Sequence, residues 1–96
     1  MTLTTKKRKH LKMIGHGLHP ILQVGQKGIT DSLLAQLEKD LSFHELIKVR
    51  FSSDDRVERA HLTEQLTEKT QSVRVQAIGR NALLYRESSE QKIKFD

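Results

Sequence analysis

Ile21-Leu22-Gln23-Val24-Gly25-Gln26-Lys27-Gly28-Ile29-Thr30 holds a change of secondary structure within a few residues. Pro20 comes just before it, and its fixed φ suits an extended start for the apolar run Ile21–Val24. Two glycines then interrupt the run. Beyond them Ile29, Leu33, Leu34, Leu37 and Leu41 recur at three- and four-residue spacing, as on one face of a helix, and Thr30 stands where a cap is needed. The stretch therefore predicts a strand, a glycine turn and a helix.

The same alternation continues on both sides. Downstream, Glu45-Leu46-Ile47-Lys48-Val49-Arg50-Phe51 places Ile47, Val49 and Phe51 on one face and Lys48 and Arg50 on the other, which predicts a strand with one face buried. Ser52–Asp55 breaks it. Asp55 and Glu58 have capping-box spacing for a helix running to about Thr70, with Val57, Leu62 and Leu66 as a thin apolar stripe. Val73–Ile78 and Ala82–Arg86 read as strands joined by a Gly79-Arg80-Asn81 turn, and residues from about 88 to 96 read as a polar tail. Upstream, residues 4–14 predict a helix capped by Thr4 or Thr5 and stopped by Gly15 and Gly17. Leu3, Lys7, Leu11, Ile14 and Leu18 lie roughly on one of its faces.

The predicted order is α-β-α-β-α-β-β. Strands joined through helices should run parallel, and the last two should form an antiparallel hairpin. Residues 1–96 are thus expected to form a single α/β (α+β) domain, a mixed four-stranded sheet packed by helices, without internal repeats or a second domain. The absence of cysteine excludes disulfides, thiolate metal sites and cysteine nucleophiles, and suits a reducing cytoplasm. No apolar run approaches the ~20 residues of a membrane span. The basic N-terminal segment has no secretory-signal core, so a cytoplasmic location is expected.

Charge is distributed unevenly. The 17 Lys and Arg exceed the 12 Asp and Glu by five. Residues 1–30 contain Lys6, Lys7, Arg8, Lys9, Lys12 and Lys27 and no acid, while the rest of the chain is close to balance. A one-sided basic field is the footprint of a polyanion partner. The first 20 residues have no aromatic side chain to anchor in a bilayer, which disfavours a membrane surface. At the glycine turn, Gly25 and Gly28 permit close approach of a backbone to a bulky anion. A helix N-terminus behind the turn offers N–H groups and partial positive charge, and Lys27 adds a full charge. KH domains clamp nucleic-acid backbones with a Gly-x-x-Gly loop of this kind.

Taken together, several pieces resemble one family. They are Lys6-Lys7-Arg8-Lys9-His10-Leu11-Lys12, Leu18-His19-Pro20 leading to Val24–Thr30, Glu45–Phe51, and Ile78-Gly79-Arg80 followed by Leu84-Tyr85-Arg86. In order and spacing they are similar to the bacterial YhbY-type proteins, the stand-alone form of the CRM (chloroplast RNA splicing and ribosome maturation) domain. The resemblance implies a fold like the C-terminal domain of translation initiation factor three. It also implies RNA binding, association with precursors of the large ribosomal subunit, and no catalytic residue or cofactor.

On that reading Gly25 and Gly28 admit the RNA backbone, Lys27 pairs with a phosphate, and Gln26 donates to a phosphate or a 2′-hydroxyl. Lys6, Lys7, Arg8, Lys9 and Lys12 form a basic helix face, and Arg80 is a further contact at the hairpin turn. The expected partner is ribosomal RNA in a pre-large-subunit particle, bound by a monomer, with no small-molecule substrate. Tyr85 is expected to be half-buried on the sheet in preference to stacking on a base. His16 and His19 lack a third ligand for a metal. They leave one alternative, an RNA-processing enzyme using a histidine beside the loop as acid or base.

Overall fold

Helix α1 (Thr5–His16), strand β1 (Leu22–Val24), α2 (Asp31–His44), β2 (Leu46–Phe51), α3 (Arg56–Thr70), β3 (Val73–Ile78) and β4 (Asn81–Tyr85) follow one another in the computed structural model, which describes residues 2–95. The element order is the predicted one. Strands β1 and β2 pair in parallel, with Leu22 opposite Val49 and Val24 opposite Phe51. Strands β3 and β4 form the antiparallel hairpin. The sheet order is β1-β2-β4-β3, so β4 lies between β2 and β3 and runs antiparallel to both. Its sequence explains the central place. Ala82-Leu83-Leu84-Tyr85 is apolar on both faces, and all four residues are buried.

Two cores flank the sheet. On one face Leu37 and Leu41 of α2 and Leu66 of α3 pack on Val24, Ile47, Val49, Phe51, Ala82 and Leu84. On the other, Leu11 of α1 packs with Leu46, Val75, Leu83 and Tyr85. Helix α3 departs from its expected stripe. Val57 is 65% exposed, and the buried positions beside Leu66 are Thr63 and Thr70. Their hydroxyls donate to the carbonyls of Arg59 at 2.8 Å and Leu66 at 2.6 Å, so the polar atoms are satisfied inside the core. Asp55 caps the helix, accepting from the N–H groups of Val57 and Glu58. The capping box does not close, because the N–H of Asp55 donates to Ser53 Oγ.

Gly15 does not stop α1. It lies within the helix, and Gly17 is the C-cap. Gly15 is buried where α1 crosses the sheet, and a Cβ there would come within 3.0 Å of both Leu83 methyls. The glycine serves close packing. Gly15→Ala would gain about 1 kcal/mol of helix propensity. It would also overpack a filled interface at about 1–3 kcal/mol. We expect net destabilisation in urea unfolding, and Gly15→Ala combined with Leu83→Val should recover part of it through their coupling. A Gly15→Ala protein more stable than the parent would show that the contact does not constrain the helix.

Residues 88–95, read from sequence as a polar tail, fold back onto the α1 face. Ile93 and Phe95 join the Leu11 core, and Phe95 meets Tyr85 edge-on with centroids 6.0 Å apart. The tail is held by Glu45, which the sequence placed at the start of β2. Glu45 is instead the C-cap of α2, with φ +67° and a fully buried side chain. Its carboxylate accepts the Ser88 hydroxyl and the N–H groups of Ser88, Lys92 and Ile93, the last three at 2.9, 3.1 and 2.9 Å.

Candidate nucleic-acid interface

Gly25, Gln26, Lys27 and Gly28 form a tight turn at the end of β1, closed by a 3.0 Å bond from the Gly28 N–H to the Gly25 carbonyl. Gln26 and Lys27 are exposed at its tip. Gly28 has φ +69°, a conformation natural to glycine and strained for residues with a Cβ. Gly25 has no such requirement. A Cβ built on either glycine meets nothing within 4 Å, so the turn presents open backbone to solvent. Behind it Thr30 caps α2, its hydroxyl accepting from the Leu33 N–H at 3.1 Å. Asp31 in the first turn offsets part of the positive end of the helix dipole. Lys27 is therefore the main source of charge at the tip.

Three connections meet at this end of the sheet. The N–H and hydroxyl of Ser52 donate to the Val24 carbonyl, and the Phe51 N–H donates to the Arg80 carbonyl at 2.8 Å. Arg80 thus lies at the same end as the glycine turn, about 10 Å away by strand spacing. Its guanidinium pairs with Asp54, and the two side chains are 45% and 82% exposed. An exposed pair of this kind contributes about 0–1 kcal/mol, so Arg80 can exchange Asp54 for a phosphate at little cost.

The basic helix is placed differently. Leu11 sits over Leu46 and Tyr85, at the far end of the sheet from the turn, while Gly15 and His16 approach Leu83 and Ile78. The Lys-rich first turns and the glycine loop therefore occupy opposite ends of the domain. Lys6, Lys9 and Lys12 are exposed. Lys7 is exposed too, with its ammonium 5.3 Å from the centre of the Phe95 ring. Arg8 has a structural task. A β-bulge between Arg74 and Gln76 disturbs the ladder, and the Arg8 guanidinium donates to the Arg74 and Val75 carbonyls at 2.8 Å each.

Tyr85 is buried beneath the tail and is not a stacking platform. Burial, with the Glu45 and Glu87 carboxylates adding to it, pushes its hydroxyl up to about 12. His16 and His19 are both exposed, on the last turn of α1 and in the following loop. Sequence reasoning passed over Arg56, Arg59 and Arg74, which converge between α3 and the hairpin. The i, i+3 spacing of Arg56 and Arg59 was a visible signal, but nothing in the sequence tied them to Arg74.

The structure is thus an α+β domain with an open, lysine-tipped glycine turn and basic side chains at both ends of its sheet. The chain belongs to the CRS1 / YhbY (CRM) domain family, which it matches over residues 3–86. It is 43% identical over 88 residues to a Pseudomonas aeruginosa protein named as a probable RNA-binding protein, covering 92% of this chain and 85% of that one. It is 39% identical over 93 residues to an RNA-binding protein of Haemophilus influenzae, covering 97% and 94%. A hypothetical protein of Staphylococcus aureus, solved in solution, superposes with a TM-score of 0.86 at 36% identity, over 99% of this chain and 100% of that one.

Proposed function

We propose that this protein is a non-catalytic, cytoplasmic RNA-binding factor that associates as a monomer with precursors of the large ribosomal subunit. The observation that carries the reading is the glycine turn, with backbone open to solvent at two glycines and a lysine at the tip. RNA as the ligand is supported by the names of the relatives. The scarcity of exposed aromatic side chains favours recognition of backbone and shape over base-by-base stacking. Because the Lys-rich turns of α1 and the glycine loop face opposite ends, an RNA touching both must span the domain, as a folded ribosomal RNA can. Contacts made mainly through phosphates are reversible and salt-sensitive, which suits a factor that leaves a maturing particle.

The test combines a titration with a gradient. We expect tighter binding to RNA than to DNA of the same sequence, since only RNA offers 2′-hydroxyls, and the RNA should remain uncleaved. Lys6→Gln, Lys9→Gln and Lys12→Gln together should weaken binding and flatten its salt dependence by about 0.7–0.9 in slope for every phosphate no longer neutralised. In a sucrose gradient at low magnesium the protein should accompany large-subunit precursors and be depleted from polysomes. Equal signal on precursors and polysomes, or signal confined to the small subunit, would remove the assembly role and leave general RNA binding.

A further inference from the structure

Between α3 and the β3–β4 hairpin lies a cleft of about 370 Å³. Arg56 and Arg59 reach it from the first turns of α3, and Arg74 reaches it from β3. Arg74 is paired with Leu84, which packs on the α2–α3 side of the sheet, so the register turns Arg74 to the face that α3 covers. Apolar atoms of Phe51, Ala60 and Ala77 supply the floor, and Gly79, at φ +55°, opens the lip. Among the described residues, none that lines the cleft is acidic.

The arrangement is locally unfavourable. Two cations stand at the positive end of a helix dipole, facing a third. Like charges held this way repel unless an anion joins them. Of the acids around the start of α3, Asp54 pairs with Arg80, Asp55 caps the helix, and Glu58 lies outside the cleft lining. The volume falls in the lower part of the ~300–1,000 Å³ range of small-ligand sites. A duplex cannot enter such a cleft, but one unpaired nucleotide can. Arginine suits both parts of it, forking onto phosphate oxygens and stacking its plane on a base. Through Gly79 and Asn81 the cleft opens toward the glycine-loop end of the sheet, with β3 three strand spacings or about 14 Å from β1, while Arg74 stands nearer the other end.

We propose that this arginine cleft is a second RNA contact, distinct from the glycine turn, which holds one unpaired nucleotide. Its phosphate sits on Arg56 and Arg74, and its base or sugar lies over the apolar floor. The proposal rests on the RNA-binding reading above. Arg59 also holds the β2–α3 loop, donating to the Ser53 carbonyl at 3.0 Å, so it is left intact in the test.

The experiment compares the parent protein, Arg56→Gln/Arg74→Gln, and a charge-matched control, Lys39→Gln/Lys69→Gln, on a labelled RNA hairpin with an unpaired loop and on its fully paired stem. Arg56→Gln/Arg74→Gln should bind the loop RNA about tenfold more weakly, with the salt slope lower by about 0.7–0.9 for each phosphate that the arginines would have neutralised. Its affinity for the paired stem should match the parent's. The proposal is overturned if affinity and slope for the loop RNA are unchanged while Gly28→Asp still weakens binding, or if the control is weakened as much. Inorganic phosphate, followed by NMR at the arginine side chains, supplies a further arm. Cleft signals that move with phosphate but not with the loop RNA would make this a free-anion site and overturn the RNA contact. A parent protein that binds neither RNA would instead remove the RNA-binding reading itself, and this proposal with it.

Discussion

Gly28→Asp should weaken RNA binding by about tenfold or more, roughly 1.4 kcal/mol, in a domain that remains folded. Two effects coincide at this position. The φ of +69° strains any residue with a Cβ by about 1–2 kcal/mol, which shifts the turn. The added carboxylate then stands where a phosphate is expected, beside Lys27. Neighbouring variants separate the two effects. Gly25→Asp adds charge without the positive φ, and its Cβ meets nothing within 4 Å, so its effect is electrostatic. Gly28→Ala adds strain without charge. Fluorescence anisotropy at two salt concentrations reads all three, with circular dichroism reporting the fold. We expect Gly28→Asp to be weakest, followed by Gly25→Asp, and the deficit of Gly25→Asp to shrink as salt screens it. Full affinity in a folded Gly28→Asp protein would remove the turn from the interface.

The second large effect is on stability. Glu45→Gln should destabilise the domain by about 2–4 kcal/mol, because charge-assisted bonds contribute more than neutral ones and an amide turns donors toward donors. Four donors from Ser88, Lys92 and Ile93 converge on the carboxylate. Removing it should release the tail, seen as faster tryptic cleavage at Lys92 and Lys94. Glu45→Gly would relieve the left-handed backbone and still lack these bonds, so it too should be less stable than the parent.

The same carboxylate carries a pH dependence. Burial alone would raise its pKa, but the Ser88 hydroxyl and the Ile93, Ser88 and Lys92 N–H groups outweigh burial and hold it below 4.5. A group with a depressed folded pKa contributes fully above its unfolded value and loses that contribution as pH falls through the folded one. Urea unfolding should therefore show the gap between parent and Glu45→Gln intact at pH 7 and narrowing below about pH 4.5. A gap that stays constant into acid would mean that the charge on Glu45 does not hold the tail.

Much of the fold was legible because its signals are local. The caps at Thr4, Thr30 and Asp55 are each made by a side chain two or three residues from the N–H it accepts. The glycine turn was legible for the same reason, although the sequence read Gly25 and Gly28 alike and only the structure shows that Gly28 alone of the two has a positive φ. Gly15 was misread because a glycine near a helix end signals a stop by local rules, while its reason for being glycine is Leu83, far away in the chain. Val57 was misread because α3 buries threonines that bond their own backbone, a possibility hydrophobic spacing does not register.

The candidate site divides in the same way. The glycine turn, Lys27 and the basic bias of residues 1–30 are properties of short segments, and the sequence by itself determined them. It also determined the element order, since strand alternation and helical spacing arise from neighbouring side chains meeting one buried face. Only the tertiary structure decided that β4 enters the middle of the sheet and that Arg8 is occupied by the carbonyls of a bulge. Only there do Glu45 and the tail become one hydrogen-bonded unit, and only there do Arg56, Arg59 and Arg74 share a cleft. Each of these depends on groups distant in the chain, whose distances are set by packing of the whole sheet and not by spacing along the backbone.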